Sequence, residues 1–217
     1  METELAAVAA ASALDPPPDA RDTPLVALNM VMSADGRISV GDRVRGLTGS
    51  ADQALLHHLR AQADVVLVGA STVRAEGYGG LLPDELKRRR TEAGRTPEPL
   101  LCIASASLDL DPSLGAFNAP GLQVLVTGPT SIASLLRRLR GEHDARVVVC
   151  EGGPALAAAV AAADCLDYAF VTISPHFVGG LGRSGLTSDS LAAVQDLELE
   201  SARAVGDHVF LRYRVTR

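Results

Sequence analysis

Apolar residues in this chain gather in short uninterrupted runs, each closed by a turn signal and most followed by a stretch of helical period. The first run, Leu25-Val26-Ala27-Leu28-Asn29-Met30-Val31-Met32, stops at Ser33-Ala34-Asp35-Gly36. Asp64-Val65-Val66-Leu67-Val68-Gly69 then leads into Ala70-Ser71-Thr72-Val73-Arg74, and a helix is predicted ahead of it over 51–62. Leu100-Leu101-Cys102-Ile103-Ala104 is a further strand. Leu122 to Thr127 passes through Gly128-Pro129 into a helix from Ser131 to Arg140, and Arg146 to Cys150 passes through Glu151-Gly152-Gly153-Pro154 into an Ala-rich helix ending near Ala163. Strands that are apolar on both faces and alternate with helices belong to a parallel sheet covered on both sides. Near the C-terminus the grammar changes. Tyr168 to Ile173 and Asp207 to Val215 are strands with little helix between them, and the alternation of Val209, Leu211, Tyr213 and Val215 suits an edge strand with one wet face.

The pattern predicts a three-layer αβα sandwich on a mixed, mostly parallel sheet. Residues 1–22, Ala-rich and then Pro-rich, show no such pattern and are expected to be a disordered tail, leaving one domain over 23–217.

Composition narrows the function. A net charge of −6 argues against a nucleic-acid surface, and the basic run Lys87-Arg88-Arg89-Arg90 is expected to be a solvated helix face. Three cysteines without a CxxC pair or a histidine at ligand spacing predict neither disulfides nor a metal site, and point to a reducing, cytoplasmic setting. No apolar run reaches the length of a membrane span, and no basic leader precedes the first residues, so neither membrane insertion nor export is expected.

Candidate chemistry lies where strands end. In Glu151-Gly152-Gly153-Pro154, two glycines let a ligand approach the backbone, and the helix start beyond them offers amides to a diphosphate. The same residues also serve as a plain tight turn. Gly69 to Thr72 and Gly128 to Ser131 are comparable turns, and in a parallel sheet such turns share one edge. None is the GxGxxG fingerprint, which disfavours a standard dinucleotide-binding domain. Three carboxylates border that edge: Asp35, Glu76 and Glu151. Glu151 is the first choice for substrate contact, and Asp35 reads more simply as part of an Asp-Gly turn. His57 and His58 read as surface or partly packed residues.

Taken together, three blocks resemble the reductase domain of riboflavin biosynthesis, in the dihydrofolate-reductase-like superfamily. They are Asn29 to Ile38, Leu59 to Tyr78, and Val149 to Leu156, with a weaker echo over Ile173 to Gly180. The resemblance implies a small-molecule reductase with NADPH as hydride donor and a homodimer as the usual assembly. It implies that Ser33, Gly46, Thr72, Glu76 and Ser105 line the cofactor, with the turn and helix start Gly152, Gly153, Pro154, Ala155 and Leu156. Asn29, Arg60 and Glu151 would face the substrate, and Glu151 and Glu76 are the candidate catalytic carboxylates. In the riboflavin pathway the reaction reduces the ribosyl group of a phosphoribosylamino-pyrimidine to ribityl. Where those enzymes carry Asp-Asp-Pro and a following Arg, this chain has Glu76-Gly77-Tyr78-Gly79-Gly80 and then Leu81-Leu82-Pro83-Asp84. The zinc deaminase signature HxE…PCxxC is missing, so a stand-alone reductase is expected. A dihydrofolate- or pterin-type reductase, a secondary-metabolite reductase of the same superfamily and a non-catalytic nucleotide-binding protein are the alternatives.

Overall fold

A computed structural model describes residues 8, 9, 11–16, 21–187, 191 and 193–216. An eight-stranded sheet runs in the order β4-β3-β2-β5-β1-β6-β8-β7. Its strands are β1 (Leu25–Ser33), β2 (Val65–Gly69), β3 (Leu100–Ala104), β4 (Val124–Thr127), β5 (Val147–Cys150), β6 (Tyr168–Ser174), β7 (Leu197–Val205) and β8 (His208–Val215). Pairing is parallel from β4 through β6, and β8 joins β6 antiparallel. The mixed sheet expected from the sequence is therefore present.

Alternation along the strands sends side chains to two cores. One contains Leu25, Ala27, Val66, Val68, Leu101, Ile103, Val149 and Phe170. It packs under α1 (Ser50–Gln62) and α2 (Ala70–Glu76), with α3 (Asp84–Glu92) and the short α4 (Gly115–Asn118) at its margin. The other contains Val26, Leu28, Val65, Leu67, Val148 and Cys150 under α5 (Ile132–His143) and α6 (Pro154–Ala162). α1 contributes Leu55 and Leu59, one turn apart and both buried; α5 contributes Leu135, Leu136 and Leu139.

Three expectations change. β7, not β8, is the edge strand: Gly206 (φ 57°) and Asp207 close a tight hairpin between them, with Val205 opposite His208. β7 is exposed along most of its length, and such a strand carries almost no hydrophobic signal. The basic run is also not all surface. Arg90 is only 4 % exposed and, with Arg95, donates to the carbonyls of Ala61 and Ala63 that end α1. Lys87 pairs with the buried Glu98 at 3.0 Å, leaving only Arg88 and Arg89 on the solvated face.

The third concerns the N-terminal segment. Val8 and Leu14 are buried in the first core, where they replace water over Leu55 and its neighbours. The Leu14 amide donates to Gln62 Oε1 at 2.8 Å, Gln62 Nε2 donates to the Ser12 carbonyl, and Arg212 donates to the Ala11 carbonyl. Arg21 forms a bidentate pair with Asp167 at 3.0 Å. Residues 8, 9 and 11–16 thus belong to the packed body; residues 1–7, 10 and 17–20 lie outside the described residues. No helix among those described is long and apolar enough to cross a membrane.

Candidate active site

The C-terminal ends of β1, β2 and β5 open into a cleft of about 500 Å³. α1 and α2 form one side of it. The 34–49 loop covers another through Ile38, Ser39, Asp42, Val44, Arg45 and Thr48, and the Tyr78–Leu81 stretch closes the far wall.

Of the residues singled out in the sequence, Asn29, Arg60, Thr72, Glu76, Glu151, Gly153 and Pro154 line this cleft together. Their neighbours decide what each can do. Glu151 accepts from Arg60 Nε and Nη2 at 2.6 and 2.8 Å and from the Tyr78 hydroxyl at 2.5 Å. Both oxygens are engaged, and the pair is largely buried. Burial pushes the Arg60 guanidinium down, but the adjoining Glu151 charge more than reverses this and holds it above its ordinary value. Burial and the same carboxylate push the Tyr78 hydroxyl well up. The three form a neutral, locked wall. Glu76 is committed as well, because its Oε1 accepts the Val44 amide at 2.8 Å and so latches the covering loop to α2.

The glycine turn is built from both sides. The Gly153 amide donates to Thr72 Oγ1 at 2.9 Å, and the Gly69 amide donates to the Gly152 carbonyl at 2.8 Å. Gly152 has φ 76°, a conformation that favours glycine, and a Cβ there would press on the Met30 side chain, 2.7 Å from Sδ. Gly153 caps α6 without a side chain, Pro154 follows at the first turn, and Ala155 is exposed. Pro154 has no N–H, so the first amides of α6 are those of Ala155 and Leu156.

Other sequence candidates do not reach the cleft. Ser33 is fully buried; its hydroxyl donates to Asp35 and accepts the Arg37 amide. Ser105 is buried and accepts the Leu108 amide, and Gly46 packs against Val40. Gly152, Ala155 and Leu156 shape the turn from behind the cleft wall. Asp35 ties two loops together: the Ser33 hydroxyl and the Gly179 and Val178 amides pull its carboxyl down to about 2.

Two cleft carboxylates were missed from the sequence, the exposed Asp42 and the buried Asp52. Asp52, in the first turn of α1, lines the cleft at 6 % exposure. Burial pushes its carboxyl up; the Thr172 hydroxyl and the His208 charge oppose this in part. Nearby, Asn29 Oδ1 and His208 Nε2 are buried without a hydrogen-bond partner. A signal for Asp52 existed, since it precedes Leu55 and Leu59 by three and seven residues and so falls in the register of the buried leucines. Tyr78 stands in the stretch that departs from the riboflavin enzymes, but nothing in that stretch foretold its bond to Glu151.

Comparison with known proteins bears on the family and the fold. The model of the RibD C-terminal domain matches residues 24–211. A curated relative, the 2,5-diamino-6-ribosylamino-4(3H)-pyrimidinone 5′-phosphate reductase of Methanothermobacter thermautotrophicus, is 26% identical over 219 residues, covering 88% of this chain and 98% of its own. Among solved structures, a pyrimidine reductase-like protein from Corynebacterium diphtheriae superposes with a TM-score of 0.79 at 24% identity, covering 89% of this chain and 92% of that one. Dihydrofolate reductase from Enterococcus faecalis shares the fold with a TM-score of 0.55 at 11% identity over 89% of this chain and 97% of its own.

Proposed function

Because this chain belongs to the RibD C-terminal domain family, we propose that it is an NADPH-dependent reductase converting a ribosylamino-pyrimidine 5′-phosphate to its ribityl form. The observation that carries this reading is the cleft itself, where a glycine turn at a helix start and a buried carboxyl that burial pushes towards its neutral form open onto one cavity. The bare Gly153 and the Thr72 hydroxyl line the cleft at the start of α6, which fits a dinucleotide diphosphate. NADPH, when bound there, supplies the hydride.

The chain's own residues supply the rest. Reduction of the opened ribosylamine as an imine adds hydride to carbon and requires a proton on nitrogen. Asp52 is suited to hold that proton, because burial favours its neutral form and neither Arg60 nor Lys87 pairs with it. Asn29 Oδ1, in the cleft lining, is left to receive a polar group of the heterocycle, and His208 lies close enough to Asp52 to act on its charge. Glu151 lines the cleft and anchors Arg60 and Tyr78, and so gives it a fixed wall against which the substrate is oriented.

A panel of NADPH-oxidation assays tests the reading, using the ribosylamino-pyrimidine 5′-phosphate, dihydrofolate and related pterins. Turnover of the first compound is expected. Turnover of dihydrofolate alone would move the chain to another branch of the superfamily, and saturable NADPH binding without any turnover would make it a nucleotide-binding protein.

A further inference from the structure

On the face of the sheet that meets α1, three neighbouring strands carry polar residues in an otherwise apolar surface. Val31, Thr172 and Phe210 lie opposite one another in register across β1, β6 and β8. Asn29 and His208, each two residues along its strand, therefore share their face. Phe210 belongs to the core packed under α1, which fixes the face in question. Asn29 Oδ1, Thr172 Oγ1 and His208 Nε2 are buried with no hydrogen-bond partner among the described residues. Buried polar atoms are nearly always satisfied, so three on one face call for an explanation in function.

His208 is held from two sides. Its Cε1 lies 3.0 Å from where a Cβ on Gly49, the residue capping α1, would stand. Its ring stacks on Phe210, with 6.3 Å between centroids. The imidazole thus sits against the start of α1, one turn from Asp52. Other charges around the cleft have partners elsewhere. Arg60, on α1, and Tyr78 are bound to Glu151; Glu76, on α2, accepts the Val44 amide; Arg183 holds Asp42. Arg45 lines the cleft from the covering loop, but among the described residues His208 is the one whose charge acts on Asp52. Around His208 itself, Asp207 and Arg203 are exposed, and His176 at the end of β6 is bonded to Ser174 at 2.5 Å. Burial makes Asp52 hold its proton, and an acid that holds its proton too firmly is a slow donor. A cation beneath it works against burial.

We propose that His208 is a positioning residue for the proton donor: its imidazole, fixed at the start of α1, governs how readily Asp52 releases its proton and so sets the pH range of turnover. This rests on the reading that Asp52 is the donor.

The test uses the full chain carrying His208→Gln, which removes the charge, or His208→Lys, which keeps one. Single-turnover NADPH oxidation with the ribosylamino-pyrimidine 5′-phosphate is followed against pH, and carbon NMR follows the Asp52 carboxyl, assigned by its loss in Asp52→Asn. Because Asp52 acts in its protonated form, the rate falls as pH rises through its titration. In His208→Gln that alkaline limb and the carboxyl resonance are expected to move together to higher pH, by about half a unit or more. KM and NADPH affinity should stay nearly the same. In His208→Lys both midpoints should return towards the wild-type position, and His208→Asn, a second uncharged variant of smaller reach, should repeat the Gln result. A side chain that only packs would lower the rate by one factor at every pH and leave the resonance in place. That outcome, or equal shifts in the Gln and Lys variants, would overturn the proposal. If Asp52→Asn keeps the wild-type rate, Asp52 is not the donor and the reading beneath the proposal fails. The Asp52 resonance in His208→Gln then still decides whether His208 controls that proton.

Discussion

Asp52 shows what one side chain in the register of buried leucines can do. An acid three residues before Leu55 and seven before Leu59 would be a fault in a purely structural helix, and here it opens onto the cleft. Asp52→Asn should lower kcat by about 10²-fold or more, in the range for removing a positioned proton donor, while leaving NADPH affinity nearly intact. Its effect on stability has a sign fixed by burial. The folded-state pKa is raised, so the wild type keeps its full stability at low pH and loses some as pH rises and the buried group must ionise. The variant should therefore be the more stable protein at neutral pH, and the gain should vanish below the ordinary carboxylate pKa of about 3.9. Melting temperatures of both proteins between pH 3.5 and 8 check this, and a variant less stable at pH 8 would refute it. The sequence put Glu151 and Glu76 ahead of Asp52 because both border glycine turns. It could not show that Arg60, Tyr78 and the Val44 amide had already claimed them, since those partners lie 91, 73 and 32 residues away.

Elements were more legible than residues. Largely apolar runs closed by turn residues identified β1 to β6 because strands buried on both faces admit little else. β7 escaped because its Leu197-Glu198-Leu199-Glu200 segment faces solvent on both sides, and alternation without burial has no inside to report. The turn before α6 can be divided by substitution. Gly152 has the left-handed φ, and a Cβ there would also displace the Met30 side chain, so Gly152→Ala should cost about 1–3 kcal/mol of stability. Gly153 has φ −67° and an added Cβ would meet only Thr72 Oγ1, at 3.3 Å. Gly153→Ala should therefore fold with little loss and bind NADPH about tenfold more weakly, because a methyl group intrudes where the diphosphate meets backbone. Calorimetry against NADPH together with urea unfolding separates the two effects. A Gly153→Ala protein with unchanged affinity would make the turn purely structural.

At the scale of the whole molecule, the body is larger than the sequence pattern suggested. The segment before Pro16 lacks strand alternation and reads as tail, yet Val8 and Leu14 complete the core over Leu55, Phe170 and Phe210. A few apolar residues among alanines are enough when the cover they provide is short. Leu14→Ala should cost about 2–4 kcal/mol, read as a shift of the urea midpoint with an unchanged slope, whereas a solvated tail would register nothing. The two rims of the sheet differ in length but share an outcome. β4 has four residues, too few to template much of a neighbour, and β7 has nine but is interrupted by a bulge between Leu199 and Ser201 and studded with Glu198 and Glu200. Neither rim invites another chain to continue the ladder. Strand addition at either rim is thus a disfavoured route of self-association for this protein.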